Sequence, residues 1–365
     1  MVNVRNLLAV SAVFGAAAAH PTDSVDEVRR ELAAHQSARP FARRALNTCA
    51  NAPITTALKE RSVARRAAAA QALRQKRGLA GQKLRTKRDQ EELEEWMEVS
   101  HDTSSLGYDL DTDAETIFSG NSTCALVPEV TIGPYWVEGE LIRTDVTDGQ
   151  EGVPLHLDLQ FVDINTCEPI PEILIDIWAC NSTGVYSGVS ATGQGGLNTT
   201  HGRGIQETDE DGVVQFDTLF PGHYTGRTPH IHLMSTSDAT LLDNGTYVDG
   251  TVSHIGQLFF DQDLITEVET TSPYSTNTQS LTLNVDDGID AETATEDYDP
   301  FMAYVRLGDA ITDGLLGYLT VFVDTTANYT DAAQAAAHYY EGGGVSNNNG
   351  GGSFPGGPGG PPSRK

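Results

Sequence analysis

Leu155, Leu157, Leu159 and Phe161 alternate with His156, Asp158 and Gln160, the two-residue period of a strand with one face against a core. Ile173, Ile175 and Ile177 repeat the pattern, and Cys167-Glu168-Pro169-Ile170-Pro171 between the two runs reads as a turn enforced by proline. Thr208-Asp209-Glu210-Asp211-Gly212 ahead of Val213-Val214-Gln215-Phe216 is another turn-then-strand signal. Short strands with Gly and Pro turns, from Cys124 onward, predict a mainly β chain with a β-sandwich core. At 365 residues and 39% hydrophobic content the chain can bury a sizeable core. It has no run of 18 apolar residues, so no membrane-spanning helix is expected.

The flanks read differently from this body. Asn3 and Arg5, the apolar run Leu7 to Phe14 and the small residues Ala16 to Ala19 have the parts of a signal peptide over 1–19, which predicts secretion. Five N-x-Ser/Thr sequons, at Asn121, Asn181, Asn198, Asn244 and Asn328, agree with a glycoprotein. Residues 20–105 read as a helical, basic extension or pro-segment, with a capping box at Ser24 to Glu27 and a helix from Ile54 to Arg77 that Gly78 ends. Its dibasic pairs (Arg43-Arg44, Arg65-Arg66, Lys76-Arg77, Lys87-Arg88) suit processing sites and a solvated helix face about equally. The β body is expected over 106–340. Beyond it, 341–365 is a tail whose last 24 residues hold 10 Gly and 4 Pro, a composition that predicts disorder.

Charge divides the same way. Residues 1–100 hold 17 basic against 11 acidic side chains, and residues 101–365 hold 6 against 40. Phosphate contacts need clustered Lys and Arg, so the body is not expected to bind nucleic acid. Cys49, Cys124, Cys167 and Cys180 allow two disulfides, with the connectivity open, and no C-x-x-C occurs. Oligomeric state is left open, with a dimer through the helical segment among the options.

The chemistry concentrates in Pro221-Gly222-His223-Tyr224-Thr225-Gly226-Arg227-Thr228-Pro229-His230-Ile231-His232. In a strand, His230 and His232 share one face while Ile231 and Leu233 face the core. Two adjacent imidazoles suit a metal, although the Glu or second carboxylate motif of other His-x-His metal sites is missing. Taken alone, the pair is more often a polar strand face.

Its surroundings carry a resemblance. IDIWACNSTGVYSGV (from Ile175) and LFPGHYTGRTPHIH (from Leu219) resemble the two ligand segments of the intradiol ring-cleavage dioxygenases, in their extracellular fungal form. CALVPEVTIGPYWVEGELIRTDV (from Cys124) and HIGQLFF (from His254) are similar to flanking segments of that family. The resemblance implies one non-haem Fe(III) on Tyr186, Tyr224, His230 and His232. It implies a small aromatic diol and O2 as reactants, with the ring cut between its hydroxyl-bearing carbons to give a muconate-type product. Tyr224 would take a substrate proton, Arg227 would stabilise the ring carbanion and Gln257 would help position the substrate, while Tyr135 suits the pocket wall and core packing equally. The competing expectation is a secreted β-sandwich binding module with this fold and no activity. A zinc hydrolase is disfavoured by the two tyrosines.

Overall fold

The computed structural model describes Cys49 and residues 52–79, 100–102, 124–125, 130–293, 300–340 and 342–347. The signal segment, the capping box at Ser24 to Glu27, the pairs at 43–44 and 87–88, Asn121 and the tail beyond 347 lie outside these residues.

Helix α1 (Pro53–Lys76) comes first. Strands β1 (Cys124–Ala125), β2 (Val137–Glu138), β3 (Pro154–Asp163), β4 (Leu174–Trp178) and β5 (Arg203–Glu207) follow. Next come β6 (Val213–Leu219), β7 (His230–Ser237), β8 (Thr240–Leu241), β9 (Tyr247–Val248) and β10 (Thr251–Phe259). Helices α2 (Gln262–Glu269) and α3 (Gly288–Thr293) precede β11 (Ala303–Arg306), β12 (Leu315–Val323), β13 (Ala337–Tyr340) and β14 (Gly343–Ser346).

Two sheets form the predicted sandwich. One runs β1-β12-β3-β6 with β11 on β12, and the other runs β10-β7-β4-β5. Leu155, Leu157, Leu159, Phe161 and Phe216 of the first sheet meet Ile175, Ile177, Ile231, Leu233 and Leu258 of the second in one core. Alternation along each strand puts these residues on the inner faces. In the second sheet the register aligns Trp178, His232 and Gln257 in one row across β4, β7 and β10. That row positions the site.

The outer face of β3 departs from the half-buried expectation: His156, Asp158 and Gln160 are buried. Helix α1, rich in Ala, Leu, Gln and Arg and ended by Gly78 in a left-handed conformation, lies over it. Val63, Ala70 and Leu73 pack on Val305, Leu316 and Tyr318. Arg65 and Arg66 both pair with Asp158, and Ser62 donates to Gln160. Cys49 is disulfide-bonded to Cys167, while Cys180 is a buried free thiol, so Cys180 forms no second disulfide.

Arg66 is 2% exposed, which places the Arg65-Arg66 pair against the body rather than on a solvated face. A dibasic-specific protease should therefore spare Arg66 in the folded protein, and N-terminal sequencing after limited digestion checks this. Release of residues 53–66 from the native fold would overturn it. The tail also begins with structure: Gly343–Ser346 pairs with β13, and the Asn198 side chain accepts a hydrogen bond from the Gly344 N–H. Composition hid a strand whose backbone, not its side chains, makes the contact.

Candidate metal centre

Strand β7 starts at His230, so period-two alternation sends His230 and His232 to one side and Ile231 and Leu233 into the core. His230 Nδ1 donates to the Thr228 carbonyl at 2.6 Å, which leaves the lone pair on Nε2. That Nε2 lies 3.1 Å from His232 Nε2. His232 in turn stacks on Trp178, with centroids 4.8 Å apart and planes within 6°. Burial, with the Arg227 charge nearby, pushes the His230 imidazolium well below its ordinary range, so the ring is neutral.

Both tyrosines arrive from loops. Tyr186 is held by its backbone: its N–H donates to Gln194 Oε1 at 2.7 Å and its carbonyl accepts from Gly195. Gly184, at φ +77°, sits where a Cβ would strike the His223 carbonyl, so a side-chain-free residue lets the Tyr186 loop meet the Tyr224 loop. Tyr224 and Arg227 close one tight turn, with Gly226 at φ +98°. The Tyr224 hydroxyl is 3.3 Å from His230 Nε2, and the Tyr186 ring centroid is 5.8 Å from that of Tyr224 and 6.2 Å from that of His232. Tyr186 is 1% exposed, whereas Tyr224 is only partly buried. Burial raises both phenols above their ordinary range, and Tyr224 raises Tyr186 further. Tyr135 packs 5.0 Å from the Tyr186 ring.

Arg227 lies beside this group, 3% exposed. Its Nε donates to Asp287 Oδ2 at 2.8 Å and its Nη2 to Gln257 Oε1 at 2.6 Å. Gln257 also donates to the Thr131 carbonyl, so both ends of its amide are engaged and its oxygen serves Arg227. Gln257, expected to help position the substrate, is itself held between Arg227 and the Thr131 carbonyl.

The sequence thus brings Tyr186, Tyr224, His230, His232, Arg227, Gln257 and Tyr135 to one place. Asp287 and Trp178 join them without having been singled out. The strand ending in Trp was part of the resemblance, whereas Asp286-Asp287-Gly288 carries only a turn signal.

The donor set suits a small, hard, highly charged cation. Among the described residues the buried Tyr186 hydroxyl has the neighbouring Tyr224 phenol but no hydrogen bond of good geometry, and burial disfavours either phenolate. A cation between the phenols and the paired imidazoles would supply the missing compensation. Among the described residues no group of three or more His, Cys, Asp and Glu side chains forms a metal site of the usual kind.

Behind Tyr135 and Tyr186, buried Arg203 donates to the carbonyls of Tyr135 and Ser187, with Glu140 3.7 Å away. Asp176 accepts from Trp136 Nε1. Burial, opposed by Arg203, pushes Glu140 up to about 7 and Asp176 up to about 8. For such raised acids the stabilisation is complete below the unfolded values, near 4, and is lost as pH rises through the folded ones. Tm should therefore fall between about pH 5 and pH 8, and Glu140→Gln should flatten the fall. A profile identical in wild type and variant would refute this.

A family model described as Dioxygenase matches residues 132–240, which hold the two tyrosines, the two histidines, Arg227 and Tyr135. No curated protein sequence matches the chain. Among solved structures, an intradiol ring-cleavage dioxygenase from Tetranychus urticae is 31% identical, over 57% of this chain and 98% of that one, with a TM-score of 0.47. The dioxygenase domain of a dioxygenase carbohydrate-binding protein fusion from Streptomyces sp. SirexAA-E is 24% identical, over 55% and 98%, with a TM-score of 0.35. Catechol 1,2-dioxygenase from Acinetobacter sp. ADP1 is 19% identical, over 57% and 65%, with a TM-score of 0.37.

Proposed function

The chain belongs to the intradiol ring-cleavage dioxygenases, and from that premise we propose that it is a secreted enzyme holding one Fe(III) on Tyr186, Tyr224, His230 and His232. Its substrate is a catechol-type diol, whose ring C–C bond between the hydroxyl-bearing carbons breaks while both atoms of O2 enter a muconate-type product. The observation that carries the reading is the convergence of one buried and one partly buried phenol on a His pair whose Nε2 atoms lie 3.1 Å apart. Bound there, ferric iron would supply an acceptor for catecholate electron density, which opens the ring carbon to O2; phenolates favour the ferric state.

The chain's own residues do the rest. Tyr224, the less buried of the two phenols and carried on an exposed turn, is placed to take a substrate proton and give way to the diol. Tyr186, enclosed and backbone-anchored, stays in place. Arg227 sets a fixed positive charge beside the ring, and Tyr135 forms a wall next to Tyr186.

The test is metal analysis with a visible spectrum. Stoichiometric iron and a reddish phenolate-to-iron band that shifts on adding catechol are expected, while a colourless or iron-free protein would sink the reading and favour the inactive binding module. Tyr186→Phe should lower both iron and colour. Tyr224→Phe should keep part of the iron and slow turnover on the order of 100-fold or more.

Secretion draws support from the Cys49–Cys167 disulfide, which suits an oxidising compartment. Asn198, Asn244 and Asn328 are exposed, whereas Asn181 is half-buried and its Nδ2 donates to Gln150. Glycopeptide mapping of secreted protein should therefore find glycans at the three exposed sites before Asn181. No helix among the described residues is long and apolar enough to cross a membrane.

A further inference from the structure

We propose that Asp287 is the positioning residue for Arg227, an inference that rests on the reading of Arg227 as the cation beside the reacting ring. A long guanidinium side chain acts as a fixed charge only if its fork is held. Asp287 Oδ2 takes the Arg227 Nε–H at 2.8 Å and Gln257 Oε1 takes Nη2–H at 2.6 Å, while Nη1 has no hydrogen-bond partner among the described residues. Two corners are fixed, and the third nitrogen is left for a ligand.

The carboxylate that does this is itself immobile. Its Oδ2 also accepts the Thr228 N–H at 2.7 Å, and its Oδ1 accepts the N–H groups of Ile289 and Asp290. Asp287 is 1% exposed. Thr228 is the residue whose carbonyl orients His230, so one carboxylate references both the guanidinium and the backbone that leads into the His pair.

The segment carrying Asp287 is pinned along the Tyr224–Arg227 turn. Asn277 donates to the His223 carbonyl, Gly226 N–H donates to Thr282 Oγ1, and Thr228 Oγ1 bonds Asn284 Oδ1. If Asp287 served only as a counter-ion for a buried arginine, its exact place would matter little to rate. Bridging Arg227 to the Thr228 backbone is what a positioning role requires.

Asp287→Asn tests this, because it keeps the shape and one acceptor oxygen while removing the charge, and its NH2 must then face one of the two pairs of N–H groups that the carboxylate now accepts. Iron content, the visible band and its shift with 4-nitrocatechol should match wild type. kcat should fall about 10- to 100-fold with a smaller change in KM, since small misplacements of a fixed group cost rates of that order. The double variant Arg227→Ala/Asp287→Asn should be no slower than Arg227→Ala alone. A kcat within about twofold of wild type, beside a crippled Arg227→Ala, would overturn the proposal, as would losses that multiply in the double variant. If Arg227→Ala itself turns over normally, the premise about Arg227 fails and the proposal falls with it. Should Asp287→Asn not fold, Asp287→Glu keeps the charge and shifts the carboxylate by one methylene. A several-fold kcat loss is then expected, and wild-type turnover overturns the proposal.

Discussion

Arg227→Ala is expected to keep its iron and its colour and to turn over about 100-fold more slowly than wild type, or slower still. Arg227 is no ligand in this arrangement, but its charge is felt at Tyr186, Tyr224 and His230. Such a charge costs no reorganisation when the ring becomes electron-rich, which is why removing one preorganised stabiliser has effects of this size. Lys should restore little, because a single ammonium cannot meet Asp287 and Gln257 with a planar fork and still present a third donor. Since the Arg227–Asp287 pair is buried, Tm should fall whether or not Arg227 acts on the reaction, so stability does not discriminate. Single-turnover O2 uptake by folded, iron-loaded variant does. An unchanged rate would remove Arg227 from the reacting centre.

Part of this site could be read from local pattern, while Tyr186, Gln257 and Tyr135, on separate segments, came only through the family resemblance. His230 and His232 are two residues apart in a strand, Tyr224 and Arg227 close one turn, and Leu155 to Phe161 show their inward face by alternation alone. What escaped is contact between distant segments. Asp287 meets Arg227 across sixty residues and sits in an Asp-Asp-Gly stretch that looks like any surface turn. The hydrogen bond between Gln257 and Arg227, thirty positions upstream, escaped for the same reason. The Arg65-Arg66 pair could have been a cleavage site or a wet helix face. Only the docking of α1 on β3 shows that Asp158, on the polar side of that strand, faces both arginines.

That docking leads to the largest stability effect expected in the molecule. Asp158 accepts from Arg65 at 2.8 and 2.9 Å, from Arg66 Nε at 2.9 Å and from Gln215 at 2.8 Å, and it is 0% exposed. Burial alone would raise its carboxyl, but the hydrogen bonds and charges of Arg65 and Arg66 outweigh it and hold the group well below the usual carboxylate range. Asp158→Ala strands the buried Arg66 guanidinium, which then has the Tyr318 face, 4.7 Å away, as a weak substitute. Breaking a buried pair from one side costs about 3–5 kcal/mol, a large share of the roughly 5–15 kcal/mol that holds a protein folded. Arg65 is partly exposed, so Arg65→Ala should cost much less than Arg66→Ala. With the folded pKa depressed, the stabilisation is present above the unfolded value near 4 and is lost as pH falls below it, opposite in sense to Glu140 and Asp176. Denaturant unfolding of Asp158→Ala at about pH 6 measures the cost. Replacing Asp158 and Arg66 together by Leu and Met should recover most of it, since an apolar pair of similar volume carries no stranded charge. A loss under about 1 kcal/mol in the single variant would mean that the apolar contacts of Val63, Ala70 and Leu73 hold α1 without the ion pair.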